Sequence, residues 1–204
     1  SIDAFMVNDY FSCMLSGIGL DAAVAESFSR QTTRGLYTYT RQSFTQFIKA
    51  KAYPFTMHFG SNSIDTDAFF ISIANSNQFG NNVTIAPKAS LSDGLLDIVV
   101  LKKMLKAYMP IAFASQLLGG VPVKEVQQVT ASDSIFYLQV PGVTIINKAM
   151  APMHIDGDHV TTAERIEVKV LPASIKLFMP QLAGILHQPL HACQGALILI
   201  VCKR

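Results

Sequence analysis

The sequence predicts a mainly β domain, an antiparallel β-sandwich with a few added helices. About nine short strand-like segments follow one another with few helical stretches between them. Strands without regular strand–helix alternation are typical of antiparallel rather than parallel sheets. Half of the 204 residues are hydrophobic, so the chain can bury a substantial core without disulfides or a structural metal.

The first fifty residues contain two of the predicted helices. An apolar stretch at 10–19 ends in glycine and is predicted to be a buried strand. Asp21 follows as a helix N-cap, because apolar residues recur at helical spacing through 22–28. A second helix is predicted after Gly35.

Strands dominate from Tyr53 onward. One exception is a helical pattern at 102–118, which two consecutive glycines bring to an end. The predicted strands are 54–59, 68–74, 95–101, 125–130, 135–140, 143–146, 153–155, 165–171 and 174–179.

Composition and charge exclude several classes of protein. The net charge of +2 comes without a dense basic run, which argues against a nucleic-acid partner. The three cysteines, Cys13, Cys193 and Cys202, have no metal-binding or redox spacing, so a reducing, cytoplasmic compartment is expected. No signal peptide opens the chain, and the longest apolar run, 196–202, is far shorter than the ~20 residues that span a bilayer.

The chain is expected to be a domain cut from a longer protein, because it starts without Met in a strand-like pattern. Residues 1–179 are predicted to form this domain. Residues 180–204 differ in character, offer no evident pairing partner, and are interpreted as an atypical tail.

Three short motifs could carry chemistry. In Ser92-Asp93-Gly94-Leu95-Leu96-Asp97, the Asp-Gly pair lets a carboxylate and nearby carbonyls face one point, and such oxygens suit Mg²⁺. In Ile155-Asp156-Gly157-Asp158, a tight hairpin would crowd two carboxylates that could hold a metal or accept a proton. In Ser16-Gly17-Ile18-Gly19-Leu20-Asp21, glycines at a strand-to-helix joint either approach a phosphate or permit close packing. Each motif alone is more typical of a plain turn or a packing joint.

Taken in order, these motifs, together with Arg34-Gly35-Leu36 and Ile85-Ala86-Pro87, resemble the diacylglycerol kinase-like lipid kinases, which include sphingosine and ceramide kinases. The resemblance covers residues 1–179 and corresponds to the family's C-terminal domain, a β-sandwich of the diacylglycerol kinase/NAD kinase-like fold. It implies a separate N-terminal domain that binds ATP through Gly-Gly-Asp-Gly-Thr. That motif does not occur in the sequence, so this chain alone is expected to be inactive.

The resemblance also implies roles for particular residues. Asp93 is expected to bind Mg²⁺, together with the main-chain oxygens of Ser90 and Leu95. The family's glutamate proton acceptor falls on Asp158, whose side chain is one bond shorter, and Asp156 is a neighbouring carboxylate that could share its role.

A basic residue of bacterial members, expected to contact substrate or phosphate, falls at Gln42 by ungapped alignment. Arg41 is the candidate substitute.

The implied activity is transfer of the γ-phosphoryl group of ATP to the hydroxyl of a lipid such as diacylglycerol, in phospholipid biosynthesis. The implied cofactors are Mg²⁺ and ATP, the latter held mainly by the missing half. The expected partners are that half and a lipid at a membrane surface, and a homodimer is compatible with both. Two alternatives remain open: a non-catalytic lipid-binding or interaction domain of the same fold, and a generic β-sandwich with accidental turns.

Overall fold

The computed structural model describes residues 1–29, 50–77, 86, 88–103, 124–125, 135–178 and 199–202. These residues form one helix and thirteen strands. In chain order they are β1 (Ile2–Val7), β2 (Tyr10–Ser12), β3 (Leu15–Gly19), α1 (Leu20–Ser29), β4 (Tyr53–Phe59), β5 (Asn62–Ala74), β6 (Leu96–Lys102), β7 (Lys124–Glu125), β8 (Ile135–Val140), β9 (Gly142–Ile146), β10 (Met153–Ile155), β11 (Asp158–Val160), β12 (Arg165–Phe178) and β13 (Leu199–Cys202).

The strands form a single, nearly all-antiparallel sheet, as the sequence predicts. The main path runs β11-β10-β3-β5-β4-β9-β12-β1-β2. Outside this path, β6 pairs with both β5 and β8, and β13 pairs with β12. Among the described pairings, only β7 with β8 is parallel. Strands β10 and β11 therefore lie at one end of the path, beside β3.

The sheet curls so that strands far apart in its order share one core. Ile18, Ile71, Val100 and Phe136 sit in register across four neighbouring strands and are buried together. Side chains from β1, β9 and β12 join the same cluster from the other part of the sheet. Alternate residues point to the opposite face. There α1 packs through Leu20 and Val24.

Several boundaries differ from those predicted. The predicted strand 10–19 is two strands, because the chain turns at Cys13 and Met14. The predicted strands 165–171 and 174–179 are one strand, β12, which continues through Ala173 although its φ is +50°. The tail was expected to lack a pairing partner, yet β13 pairs antiparallel with the end of β12.

Two predicted helices concern residues outside the described ranges. The helix after Gly35 lies there, and so do most of the residues of the helix at 102–118; Lys102 itself ends β6. Within the described ranges, no helix has the length and apolar character needed to cross a membrane. Arg41 and Gln42 also lie outside the described residues.

Candidate functional site

The second acidic motif forms the tight hairpin that the sequence predicts. Ile155 at the end of β10 pairs with Asp158 at the start of β11, so the loop has only two residues. Both have positive φ, +49° for Asp156 and +93° for Gly157. This is the pattern of a type I′ turn, for which Asp-Gly is a preferred pair.

The Asp156 carboxylate is bound to the turn between β2 and β3. Its Oδ1 accepts hydrogen bonds from the Ser12 hydroxyl at 2.8 Å, from Met14 N at 3.0 Å and from Leu15 N at 2.9 Å. Its Oδ2 accepts one from Cys13 N at 3.0 Å. A carboxylate with this many donors holds two turns in a fixed relation.

Asp158 is only two residues away and, like Asp156, it is exposed, but its hydrogen bonding differs. No described residue hydrogen-bonds to its carboxylate. One carboxylate of the hairpin is thus held by the fold, and the other is open to a ligand.

The first acidic motif forms a turn that could hold a hard cation. Asp93 is exposed, and its Oδ1 accepts a hydrogen bond from Leu95 N at 3.0 Å, which leaves Oδ2 directed away from that bond. Among the described residues, no group of three His, Cys, Asp or Glu side chains could share a metal. A cation at this turn would be held by one carboxylate and main-chain oxygens, the donors that Mg²⁺ prefers.

Asp3, which the sequence analysis did not single out, anchors the turn at residues 91–95. It is buried, with 2% of its surface exposed. Its Oδ2 accepts a hydrogen bond from Gly94 N at 2.8 Å, and its Oδ1 accepts one from Ala173 N at 2.7 Å. Asp3 N donates to Leu91 O at 2.7 Å. The sequence signal for this anchoring role was a carboxylate within the apolar strand β1, because a buried charge needs hydrogen-bonding or ionic partners.

The two acidic turns are connected by one buried amide, that of Asn75. Its Nδ2 donates to Asp3 O at 2.9 Å and to Cys13 O at 3.0 Å. Its main-chain N donates to Met14 O at 3.0 Å. Since Cys13 and Met14 both donate to Asp156, hydrogen bonds run from the 91–95 turn through Asp3 and Asn75 to the hairpin.

At Gly19, the glycine motif allows close packing of two strands and does not form a phosphate site. Its N–H already donates to Pro152 O at 2.8 Å. A Cβ atom at this position would lie 2.4 Å from Phe69 O, so only glycine allows β3 and β5 to approach here. Helix α1 starts at Leu20, which places Asp21 in its first turn rather than at the N-cap.

Comparison with known families agrees with this architecture. The YegS C-terminal NAD kinase beta sandwich-like domain matches residues 15–179. The chain belongs to this family. The fold expected from the lipid-kinase resemblance is therefore confirmed, and so is the expectation that the chain corresponds to the C-terminal domain.

Relatives of this YegS C-terminal domain are described as lipid kinases. A "Probable lipid kinase YegS-like" of Chromohalobacter salexigens is 24% identical over 89% of the chain and 56% of the relative. One of Shewanella frigidimarina with the same description is 23% identical over 85% and 53%. The chain spans about half the length of these relatives.

The fold itself recurs in solved structures. A crystal structure described as a diacylglycerol kinase of Bacillus anthracis superimposes with a TM-score of 0.56 at 14% identity, over 84% of the chain and 50% of that protein.

Within the YegS C-terminal domain, Asp97 is a buried carboxylate with a raised pKa. It is fully buried, and its Oδ1 accepts a hydrogen bond from Gln139 Nε2 at 3.0 Å. No described residue hydrogen-bonds to its Oδ2. The pKa of Asp97 is raised from 3.8 to about 7, mainly by burial and to a smaller extent by the nearby Asp93 carboxylate, against the lowering effects of the Gln139 hydrogen bond and of Lys88.

Stability should therefore depend on the charge of Asp97. The folded state favours the protonated acid, so its contribution is complete below pH 3.8 and is lost as the pH rises through about 7. We expect the free energy of unfolding to fall by up to about 4 kcal/mol over that interval through this group. Asp97→Asn should remove this dependence, which urea unfolding of both proteins at pH 5 and pH 8 would measure. Equal pH dependence in the two proteins would contradict the assignment.

Proposed function

We propose that this chain is the substrate- and metal-site half of an ATP-dependent lipid kinase that phosphorylates a lipid hydroxyl, diacylglycerol-like in kind. The observation that carries the proposal is the division of roles at the hairpin. The Asp156 carboxylate is fixed by one hydroxyl, one thiol and three main-chain N–H donors, while no described residue hydrogen-bonds to the exposed carboxylate of Asp158. The relatives described as lipid kinases support the same reading.

In this proposal Asp158 is the proton acceptor. The lipid hydroxyl oxygen forms a bond to the γ-phosphorus, the bond to the ADP leaving group breaks, and the hydroxyl proton passes to the Asp158 carboxylate. We assign Asp156 a positioning role instead, because its Oδ1 accepts three hydrogen bonds from the β2–β3 turn and its Oδ2 accepts one from Cys13 N. It fixes the position of Asp158, and positioning is the main contribution a protein makes to phosphoryl transfer.

The other groups act around this residue. Asp93, with the main-chain oxygens of Ser90 and Leu95, would hold Mg²⁺, which adds positive charge and rigidity to the loop. We propose residues 1–179 as the domain proper, with ATP held by an N-terminal half. Arg41 remains the proposed contact to phosphate or substrate. The lipid would be met at a membrane surface from the cytoplasm.

One observation favours a second candidate, a lipid-binding domain without catalysis. The proton acceptor expected from the family resemblance is a glutamate, and Asp158 carries its carboxylate one bond closer to the backbone. A retracted carboxylate could bind near a lipid hydroxyl without reaching its proton.

Assaying the protein encoded by the full reading frame, including the sequence that precedes Ser1, separates the two candidates. It would be incubated with labelled ATP, Mg²⁺ and vesicles that contain diacylglycerol, phosphatidylglycerol, sphingosine or ceramide. We expect a phosphorylated lipid from one of these vesicles, and none from the 204-residue chain by itself. Binding to the vesicles without transfer would establish the second candidate instead.

A further inference from the structure

A buried polar pair lies beneath the hairpin and has no part in the chemistry described above. His154 of β10 and Asp21 of α1 place Nε2 and Oδ2 3.4 Å apart, and their side chains are only 2% and 3% exposed. The two atoms are in close polar contact but do not form a hydrogen bond, and neither has a hydrogen-bond partner elsewhere in the described part of the chain. Such a pair is weak evidence for stability, since burying both groups costs about as much as their attraction returns. The pair is therefore expected to have a role other than stabilising the fold.

Gly17 makes room for this pair. It lies opposite His154 in the pairing of β3 with β10, so the two residues share one face of the sheet. A Cβ atom at position 17 would lie 2.1 Å from Asp21 Oδ2 and 2.5 Å from His154 Nε2. No side chain fits there. The first glycine of the motif is thus explained by the contact between α1 and β10.

The second ring nitrogen of His154 reaches the hairpin. Gly157 N donates a hydrogen bond to His154 Nδ1 at 3.2 Å. A nitrogen that accepts a hydrogen bond carries no proton, so the proton of a neutral ring is on Nε2, which lies 3.4 Å from the Asp21 carboxylate. A carboxylate beside Nε2 favours this tautomer, in which Nδ1 can accept from Gly157.

We propose that Asp21 and His154 are positioning residues that fix the Gly157 N–H and so hold the hairpin in the conformation that presents Asp158. The hairpin then has two anchors. The Asp156 carboxylate binds the β2–β3 turn, and the Gly157 N–H binds His154. Asp158 follows Gly157 directly, so a shift at Gly157 moves it. The effect on catalysis rests on the proposed function, whereas the tautomer and the anchoring do not.

The geometric part is tested on the full-reading-frame protein by nitrogen-15 NMR. We expect the imidazole of His154 to carry its proton on Nε2, with an unprotonated Nδ1. In His154→Phe, which keeps ring size but removes both nitrogens, we expect the Gly157 amide to exchange with solvent about tenfold faster. His58→Phe, an exposed histidine on β4, is the matched control and should leave that exchange unchanged.

The catalytic part is tested by the split between kcat and KM for lipid phosphorylation. His154→Phe and Asp21→Ala should lower kcat about 10- to 100-fold with KM nearly unchanged, because the acceptor is misplaced rather than lost. Asp21→Asn keeps a polar oxygen beside Nε2–H and, compared with Asp21→Ala, should restore most of the rate.

Two results would overturn the inference: a proton on Nδ1 in the wild-type protein, or a wild-type kcat in His154→Phe. If the wild-type protein phosphorylates no lipid, the proposed function fails, and the NMR result still decides whether His154 anchors the turn. The tautomer is read in the wild-type protein, so this decision stands even if a variant does not fold.

Discussion

Asp158→Asn is expected to lower kcat for lipid phosphorylation by about 10²- to 10⁴-fold, the usual contribution of a positioned general base. The amide matches the carboxylate in size but cannot accept the proton of the lipid hydroxyl. Because Asp158 is exposed and no described residue hydrogen-bonds to its side chain, the free energy of unfolding should change by less than about 0.5 kcal/mol. Steady-state kinetics and urea unfolding on the same preparation measure both quantities.

Two variants at the same hairpin give this prediction its controls. Asp158→Glu restores the longer side chain and should keep or raise kcat. Asp156→Ala should instead lower stability, because the Ser12 hydroxyl and the main-chain N–H groups of residues 13–15 lose their acceptor. If Asp158→Asn retains full activity, Asp158 is not the proton acceptor.

The hairpin shows how far a sequence can predict a site. Asp-Gly between two short apolar runs is a local signal, and the predicted turn is found. The difference between Asp156 and Asp158 has no local signal. It arises from the β2–β3 turn, more than 140 positions earlier in the chain, whose donors all converge on Asp156. Local sequence patterns do not encode such contacts.

Long-range packing also explains the other differences. Gly17 resembles part of a phosphate-binding motif in sequence, but the structure gives it a steric role that depends on Asp21 and His154 together. The break expected near Ala173 follows from local propensity. In the structure β1 pairs with β12 on both sides of that point, so the pairing overrides the propensity.

Asp3→Ala is expected to cause a large loss of stability, about 2–5 kcal/mol. The carboxylate is buried and accepts hydrogen bonds from two main-chain N–H groups, those of Gly94 and Ala173. Alanine leaves both donors without an acceptor in a place that water reaches poorly. Urea unfolding measures the loss. Asp3→Asn keeps one of the two oxygens and should cost roughly half as much, because its amide nitrogen cannot accept from the second N–H.

Comparing Asp3→Asn with Asp93→Asn distinguishes anchoring of the 91–95 turn from Mg²⁺ binding. Asp93→Asn removes the only carboxylate that we assign to Mg²⁺, so it should abolish Mg²⁺ binding while stability changes little. Asp3 touches the turn only through Gly94 N and Leu91 O, so Asp3→Asn should weaken Mg²⁺ binding about tenfold without abolishing it. Calorimetric titration with Mg²⁺ distinguishes these results. Unchanged affinity in Asp3→Asn would mean that the turn keeps its shape without Asp3, and wild-type stability in Asp3→Ala would contradict its role as an anchor.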